Sequence, residues 1–244
     1  MNAVIKIFKL ENVLFFLLLL AAVIAAAVSL ILMEESGSTS VSALGEDATP
    51  VLVIDAGHGG EDGGAVSITG VHESVINLDI ALKMAALSDL TGIEYTLTRD
   101  SEEITYPETA KTVASRKKYD QKQRVALVNE TKNAVLISVH QNCYPHKSPY
   151  GPQAFYAKSE GSDELAELIQ GTLNATLSPS NRRIASPVAS NIYLYKNVKC
   201  TAVLVECGFI SNPDESKLLE SEGYRLKVAA VLTCAYLQYL DTKE

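Results

Sequence analysis

The longest run of apolar residues lies near the N-terminus of the chain. It covers residues 13–33, VLFFLLLLAAVIAAAVSLILM, and contains no charged residue, proline or glycine. A helix rises about 1.5 Å per residue, so this run is long enough to cross the roughly 30 Å hydrocarbon core of a bilayer. Lys6 and Lys9 precede the run, and positive flanks stay in the cytoplasm, so the pattern predicts a single-pass anchor with the C-terminal part of the chain outside. A cleaved signal peptide and a secreted product is the alternative, although signal cores usually span only about 7–15 residues.

The chain changes character after this apolar run. Residues 36–50, SGSTSVSALGEDATP, are small, polar and rich in turn formers, a composition typical of flexible tethers. The sequence therefore predicts three parts: a cytoplasmic stub with the anchor or signal at 1–35, a flexible linker at 36–50, and a folded domain at 51–244.

Within the folded domain, short apolar runs alternate with segments of helical periodicity. The runs predict strands at 51–55, 94–99, 134–140, 153–158, 191–196 and 202–206. The periodic segments predict helices at 73–90, 120–131, 163–177 and 222–240, and residues 100–119 are interpreted as a long loop with some helix. Strands that alternate with helices indicate an α/β fold, with a mostly parallel sheet flanked by helices.

Charge and cysteine content narrow the possible functions. The formal net charge is −8, and the only basic run is the short RKK at 116–118. Nucleic acid is therefore not an expected partner, because phosphate binding needs clustered lysine and arginine. The four cysteines form no C-x-x-C pair, which argues against a cysteine-ligated zinc site, and we expect no structural disulfide.

Four polar residues are predicted to meet at one rim of the sheet. His58 lies three residues after the strand that ends at Asp55, His140 and Glu206 close their strands, and Glu73 begins the helix after a glycine loop. Sites in such sheets form beyond the carboxyl ends of the strands. Two histidines and one carboxylate with an open fourth position are typical of a catalytic zinc site.

Each member of this set also has a simpler interpretation. A histidine at a strand end is commonly a surface or hydrogen-bonded residue, and Glu73 at a helix start can merely complement the helix dipole. Glu206 is harder to explain in this way, because a carboxylate at the end of a buried strand is costly without a partner.

The glycine loop GHGGEDGG surrounds one of these histidines. We expect its glycines to let the backbone turn sharply and to leave room for substrate beside a metal bound to His58. The loop fits neither the phosphate-binding nor the dinucleotide-binding pattern, and the chain has no G-x-S-x-G motif of an α/β-hydrolase.

Six segments, in this order, resemble the zinc-dependent N-acetylmuramoyl-L-alanine amidases of the amidase-3 type. They are IDAGHGGEDGGA, HESVINLDIALKM, TLTRD, QRVALVNE, LISVHQN and AVLVECGFISNPDE, and the resemblance covers residues 51–240. It implies a phosphorylase/hydrolase-like sandwich, with His58, Glu73 and His140 as zinc ligands and Glu206 as the catalytic carboxylate. The family commonly has proline at the position of Ala56, and this difference does not affect any of the implied zinc ligands.

Three further segments are similar to the germination-specific, CwlD-like branch that acts on spore cortex: SVHQN, GPQAFY and NIYLYKN. The resemblance implies hydrolysis of the amide between N-acetylmuramic acid and L-alanine of peptidoglycan, in cortex maturation or wall remodelling. It places the enzyme at the cell membrane, or in the intermembrane space of the forespore. A zinc deacetylase or peptidase acting on another wall bond, and a non-catalytic wall-binding module, are the alternatives. The need for a protein activator stays open.

Five other residues carry weaker expectations. Asn142, two residues after His140, is predicted to hydrogen-bond substrate, with loop capping as the alternative. Arg124 is predicted to be a structural ion-pair partner. We expect His72 and His146 not to be metal ligands. We expect Cys207 to be a small buried residue.

Overall fold

The computed structural model describes residues 49–243. The predicted anchor at 13–33 and nearly all of the predicted linker lie outside the described residues. Within residues 49–243, no helix is both long and apolar enough to cross a bilayer.

Six strands and six helices make up the described part of the chain. The strands are β1 Val51–Ala56, β2 Tyr95–Leu97, β3 Ala134–Asn142, β4 Gln153–Tyr156, β5 Ser186–Pro187 and β6 Thr201–Phe209. The helices are α1 Glu73–Thr91, α2 Val113–Glu130, α3 Ser162–Thr176, α4 Tyr193–Asn197, α5 Pro213–Leu219 and α6 Glu222–Asp241.

The strands form one sheet in the order β2-β1-β3-β6-β4-β5. The first four strands in this order, β2, β1, β3 and β6, are parallel to one another, as predicted. The last two strands depart from the expected direction, because β4 pairs antiparallel with β6 and β5 runs parallel to β4. The sheet is therefore mixed, with a parallel centre that carries β1, β3 and β6 side by side.

Helices cover both faces of this sheet. On one face, α1, α3 and α6 pack on alternate strand residues such as Ile54, Ile137 and Val205. On the other face, α2 and α4 pack on the intervening positions, including Val53 and Leu136. Strand side chains alternate between faces. Glu206 therefore lies on the α2/α4 face, on the same side of β6 as the buried Leu204.

Two helices depart from the sequence prediction. Residues 191–196 were predicted as a strand, but Tyr193–Asn197 is helical, with Leu194, Tyr195 and Val198 buried on one side. A short apolar run does not distinguish a strand from a buried helical turn. Helix α2 begins at Val113 rather than at 120, because Thr112 and Ser115 form a capping box. Only Arg124 and Val128 of this helix are buried, so its apolar pattern is weak.

Two short elements were not predicted at all. Strand β5 has two residues, below the length that apolar alternation can reveal. Helix α5 follows Asn212, whose side chain accepts hydrogen bonds from the backbone N–H groups of Asp214 and Glu215. Pro213 occupies its first turn, as is common at helix starts.

Candidate active site

Strands β1, β3 and β6 are adjacent and parallel, so their C-terminal ends lie at the same rim of the sheet. His140 of β3 and Glu206 of β6 are register partners across the two strands. The loop after β1 carries His58, whose ring centre lies 5.0 Å from that of His140. Glu73, the first residue of α1, reaches the same place because the loop from β1 returns to the rim before the helix begins.

The structure brings the three predicted metal ligands together. One donor atom from each of His58, Glu73 and His140 lies within 4.8 Å of the other two. Oε1 of Glu73 is 3.3 Å from Nε2 of His58 and 3.1 Å from Nδ1 of His140. Ligands about 2.1 Å from a tetrahedral zinc ion lie roughly 3.4 Å from each other. The donor set and its spacing therefore fit a zinc ion.

Glu73 is fixed in place by contacts other than the two histidines. Its Oε1 accepts hydrogen bonds from the backbone N–H of Gln141, at 3.0 Å, and from Nδ2 of Asn77, at 3.3 Å. Its Oε2 accepts from the backbone N–H of Ala65 at 2.9 Å. Burial acts to raise the pKa of Glu73, but its contacts with the two histidines outweigh burial and hold the pKa well below its usual range. Glu73 is therefore a carboxylate, the form that a metal requires.

The orientation of His58 is set by an acid on the other side of its ring. Nδ1 of His58 lies 3.0 Å from Oδ2 of Asp62, and the same oxygen lies 2.7 Å from Nζ of Lys117. Metal-binding histidines usually donate their second ring N–H to a carboxylate or carbonyl in this way. Nε2 of His58 is thereby directed toward Glu73.

Arg124 anchors the loop that carries His58. Its guanidinium donates to the carbonyl oxygens of Ala56, at 2.7 Å, and His58, at 2.6 Å. It also forms buried ion pairs with Oδ1 of Asp55, at 2.5 Å, and with Asp120. Burial raises the pKa of Asp55, but Arg124 together with hydrogen bonds from Ser138 and Thr98 lowers it to about 2. The prediction of a structural ion-pair role for Arg124 is confirmed.

Two glycines of the loop make room for candidate metal ligands rather than for substrate. A Cβ at Gly57 would collide with the ring of His140. At Gly64, where φ is +68°, a Cβ would lie 2.6 Å from Oε2 of Glu73 and 2.8 Å from the His58 ring. The expectation that the loop glycines leave space is thus correct at these two positions, but the space is filled by protein side chains.

Glu206 lies beside the three candidate ligands without joining them. Its Oε2 is shielded from solvent and has no hydrogen-bond partner within the described residues. Burial raises the pKa of Glu206 to about 7, with the neighbouring His140 opposing the rise and Glu73 adding to it. Such a carboxylate is poised to exchange a proton near neutral pH.

A cavity of about 230 Å³ opens in front of these groups, between the strand ends and helices α2 and α4. The cavity is lined by residues of the rim, including His58, His140 and Glu206. Helix α2 contributes the polar side chains of Lys117 and Gln121 to its lining. Residues in and next to α4 contribute largely apolar side chains: Ile192, Leu194 and Tyr195. The cavity therefore gives a substrate access to both the candidate metal site and Glu206.

The other residues singled out in the sequence fall outside this cavity. Asn142 ends β3, is half-buried and pairs with Phe209 beyond an irregularity in the β3–β6 register. Its role in binding substrate stays a prediction. His72 and His146 are exposed and are absent from the donor cluster. Cys207 is fully buried, as expected.

Sequence reasoning missed the residues that hold the ligands in place. Asn77 lies one helical turn after Glu73, a spacing that would have indicated a contact. Asp62 lies four residues after His58, but in an irregular loop this spacing predicts nothing. Arg99 donates to the carbonyl oxygens of Ala56 and Gly57, and only the sheet order reveals that β2 lies beside β1.

A family model described as N-acetylmuramoyl-L-alanine amidase matches residues 52–235. The chain belongs to the N-acetylmuramoyl-L-alanine amidase family. The match contains the donor cluster, Glu206 and, apart from the first residue of β1, all six strands of this amidase.

Comparison with individual proteins shows which members of the family this chain is similar to. The germination-specific N-acetylmuramoyl-L-alanine amidase of Bacillus subtilis (strain 168) is 34% identical over 194 residues, 79% of this chain and 81% of that protein. The CwlD amidase from Clostridioides difficile, solved in complex with the GerS lipoprotein, matches with a TM-score of 0.76 and 34% identity, covering 80% of this chain and 100% of that one. An N-acetylmuramoyl-L-alanine amidase from Clostridium difficile 630 matches with a TM-score of 0.69 and 28% identity, over 80% and 99% of the two chains. The family, the enzyme class and the germination-specific resemblance predicted from the motifs are confirmed.

Proposed function

We propose that this amidase hydrolyses the amide bond between the lactyl group of N-acetylmuramic acid and L-alanine of the peptidoglycan stem peptide, and that it depends on zinc. His58, Glu73 and His140 hold the ion, and Glu206 is the general base. The observation that carries the proposal is the arrangement at the rim. Three donor atoms with zinc-like spacing lie near a shielded carboxylate, and two of the donor residues, His58 and His140, line one cavity together with that carboxylate.

The chain's residues prepare the site before substrate arrives. Asp62 orients the ring of His58, and Gln141 and Asn77 fix the carboxylate of Glu73. When bound, a zinc ion supplies electrophilic activation of the scissile carbonyl and lowers the pKa of the attacking water.

Glu206 moves the proton. Its carboxylate takes a proton from the attacking water as the oxygen bonds to the carbonyl carbon. It then delivers that proton to the leaving nitrogen as the C–N bond breaks. The products are the carboxylate of the lactyl group and the free α-amine of L-alanine. A pKa of about 7 suits both transfers, because the group is neither too weak a base nor too weak an acid near neutral pH.

The substrate lies in the cavity between α2 and α4. Lys117 and Gln121 offer polar contacts on one wall, and Ile192 and Tyr195 offer apolar contacts on the other. We retain Asn142 as a hydrogen-bonding residue for substrate, because it ends the strand that carries His140.

The substitution Glu206→Gln tests this assignment, since it preserves size but removes the proton acceptor. We expect the variant to bind one equivalent of zinc and to lose about 10²- to 10⁴-fold in turnover, the usual contribution of a general base. Zinc content and mass spectrometry of the released peptides from peptidoglycan fragments are the two measurements. Glu167→Gln, exposed on α3, is the matched control and should behave as the wild type.

Two results would contradict the assignment. Near wild-type turnover in zinc-loaded Glu206→Gln would remove Glu206 from the mechanism. Cleavage of another wall bond, such as an acetamide or a peptide bond within the stem, would show a deacetylase or peptidase instead of an amidase.

The proposal also includes a cellular setting. The name of the Bacillus subtilis relative, a germination-specific amidase, supports a role connected with germination. The uncharged run at 13–33 supports anchoring to the membrane with the catalytic domain outside the cytoplasm. Fractionation followed by N-terminal sequencing tests the anchor, and a soluble product that begins after residue 28 would favour a cleaved signal. The complex of the Clostridioides difficile relative supports a lipoprotein partner, and co-purification from sporulating cells tests it.

A further inference from the structure

Arg183 is held firmly at the edge of the site by three neutral groups. Its Nε donates to the carbonyl oxygen of Tyr150 at 3.1 Å, and its Nη1 donates to Oε1 of Gln153 at 3.0 Å. Its Cζ lies 4.8 Å from the centre of the Phe209 ring. The guanidinium is therefore fixed in orientation, while its charge is not neutralised by any of these contacts.

No carboxylate of residues 49–243 forms an ion pair with this guanidinium, although the whole chain carries a net charge of −8. Glu215 is near enough for Arg183 to lower its pKa, but burial raises that pKa more strongly. The two oxygens of Glu215 accept hydrogen bonds from the backbone N–H groups of Gly151 and Phe209. Nη2 of Arg183 has no hydrogen bond within the described residues, so one arm of its fork is available to a ligand.

The β4–β6 pairing places this cation close to the catalytic carboxylate. Gln153 and Glu206 are register partners in an antiparallel pair, and partners of this kind project on the same face of the sheet. Arg183 is hydrogen-bonded to the side chain of Gln153, so a single side chain separates it from the position of Glu206. Arg183 therefore lies beside the end of β6 that carries Glu206.

A second groove, of about 380 Å³, begins at Arg183 and contains no acidic residue. It is lined by Ser148, Pro149, Tyr150, Asn181, Arg182 and Arg183. Two neighbouring arginines in a groove without an acid favour an anionic ligand, and the planar fork of arginine suits a carboxylate.

We propose that Arg183 is a specificity-determining residue that binds a free carboxylate of the stem peptide. This inference rests on the proposed function. N-acetylated glycan strands are neutral at the positions beside the scissile bond, whereas the peptide on the amine side of that bond carries carboxylates. A cation at this rim therefore recognises the peptide half of the substrate, and the groove of Arg182 and Arg183 is where that peptide leaves the cavity.

The test compares two sets of soluble glycan fragments with zinc-supplemented, full-length protein. One set carries stem peptides with free carboxyl groups, and in the other these groups are converted to carboxamides. We expect the wild type to cleave the free-carboxyl set with a kcat/KM about 10- to 100-fold higher, mostly through KM, as a charge-assisted hydrogen bond predicts. Arg183→Gln should lose this preference and cleave the carboxamide set within about threefold of the wild type. Arg183→Lys should retain an intermediate preference, because it keeps the charge and loses the fork.

The control is Lys227→Gln, which removes one positive charge from an exposed position of α6 and should keep the full preference. An equal loss on both substrate sets in Arg183→Gln would show a structural role and overturn the inference. Cleavage of both sets by the wild type without preference would also overturn it, while leaving the amidase function intact. Failure of the wild type to cleave either set would overturn the proposed function and this inference with it.

Discussion

Replacement of Arg124 by methionine is the sharpest structural test of how the site is supported. Methionine keeps much of the apolar stem but removes the guanidinium that contacts Asp55 and the carbonyl oxygens of Ala56 and His58. Asp55 is only 1% exposed, so the substitution leaves a buried carboxylate without its cation. Removal of one partner from a buried ion pair costs about 3–5 kcal/mol. In a domain of this size each kcal/mol corresponds to about 2–4 °C, so we expect the melting temperature to fall by roughly 6–20 °C.

The pH dependence gives this prediction a second signature. The pKa of Asp55 is lowered from 3.8 to about 2 in the folded protein. The resulting stabilisation, on the order of 2 kcal/mol, is present above pH 4 and is lost as the pH falls through 2. In Arg124→Met, burial dominates and raises the pKa of Asp55, so this acid-dependent loss is absent. The difference in unfolding free energy between wild type and variant should therefore shrink as the pH falls below 4.

Denaturant unfolding followed by circular dichroism at pH 7 and at pH 3 measures both effects. Lys118→Met is the matched control, because it removes an exposed charge from the same helix and should change stability by less than about 0.5 kcal/mol. A loss below 1 kcal/mol for Arg124→Met at pH 7, or a difference that does not change with pH, would refute the argument.

Three further predictions concern the candidate metal site. Asp62→Asn removes the acid that orients His58, and zinc affinity in chelator competition should fall about 10- to 100-fold; unchanged affinity would contradict the orienting role. Gly64→Ala forces a Cβ against Glu73 at a φ of +68°, and atomic absorption should show marked zinc loss; full occupancy would mean that the ligands shift at low cost. Burial lowers the pKa of His58, but Asp62 and Glu73 raise it to about 9. Zinc binding at pH 7 should therefore release about one proton, and the affinity for zinc should rise with pH toward 9. Calorimetry in buffers of different ionisation enthalpy measures the number of protons released, and a value of zero would contradict this prediction.

The centre of the fold was predictable because its signals are strong and local. The apolar runs of β1, β3 and β6 are nearly continuous and buried, and the apolar residues Ile76, Ile80 and Met84 of α1 recur at helical spacing and are buried. Since adjacent parallel strands end at one rim, the convergence of His58, His140 and Glu206 followed from the strand assignments.

The edges of the site were not predictable for physical reasons. The fragment NIYLYK has strand-like composition, and only its packing under α2 makes it a helical turn. The reversal of β4 depends on the long connection after β3, whose sequence carries no directional signal. The position of Gln153 beside Glu206, and with it the placement of Arg183, follows from that reversal and could not be obtained from spacing.

The two outermost strands have a consequence for how copies of this chain meet. Strand β2 has three residues, and β5 has two, one of which is Pro187. Proline has no backbone N–H to donate, and strands this short expose few unpaired groups. Neither border of the sheet offers a template on which another chain could extend it. Crowding of many copies should therefore not seed the strand-to-strand polymers to which open sheets are prone.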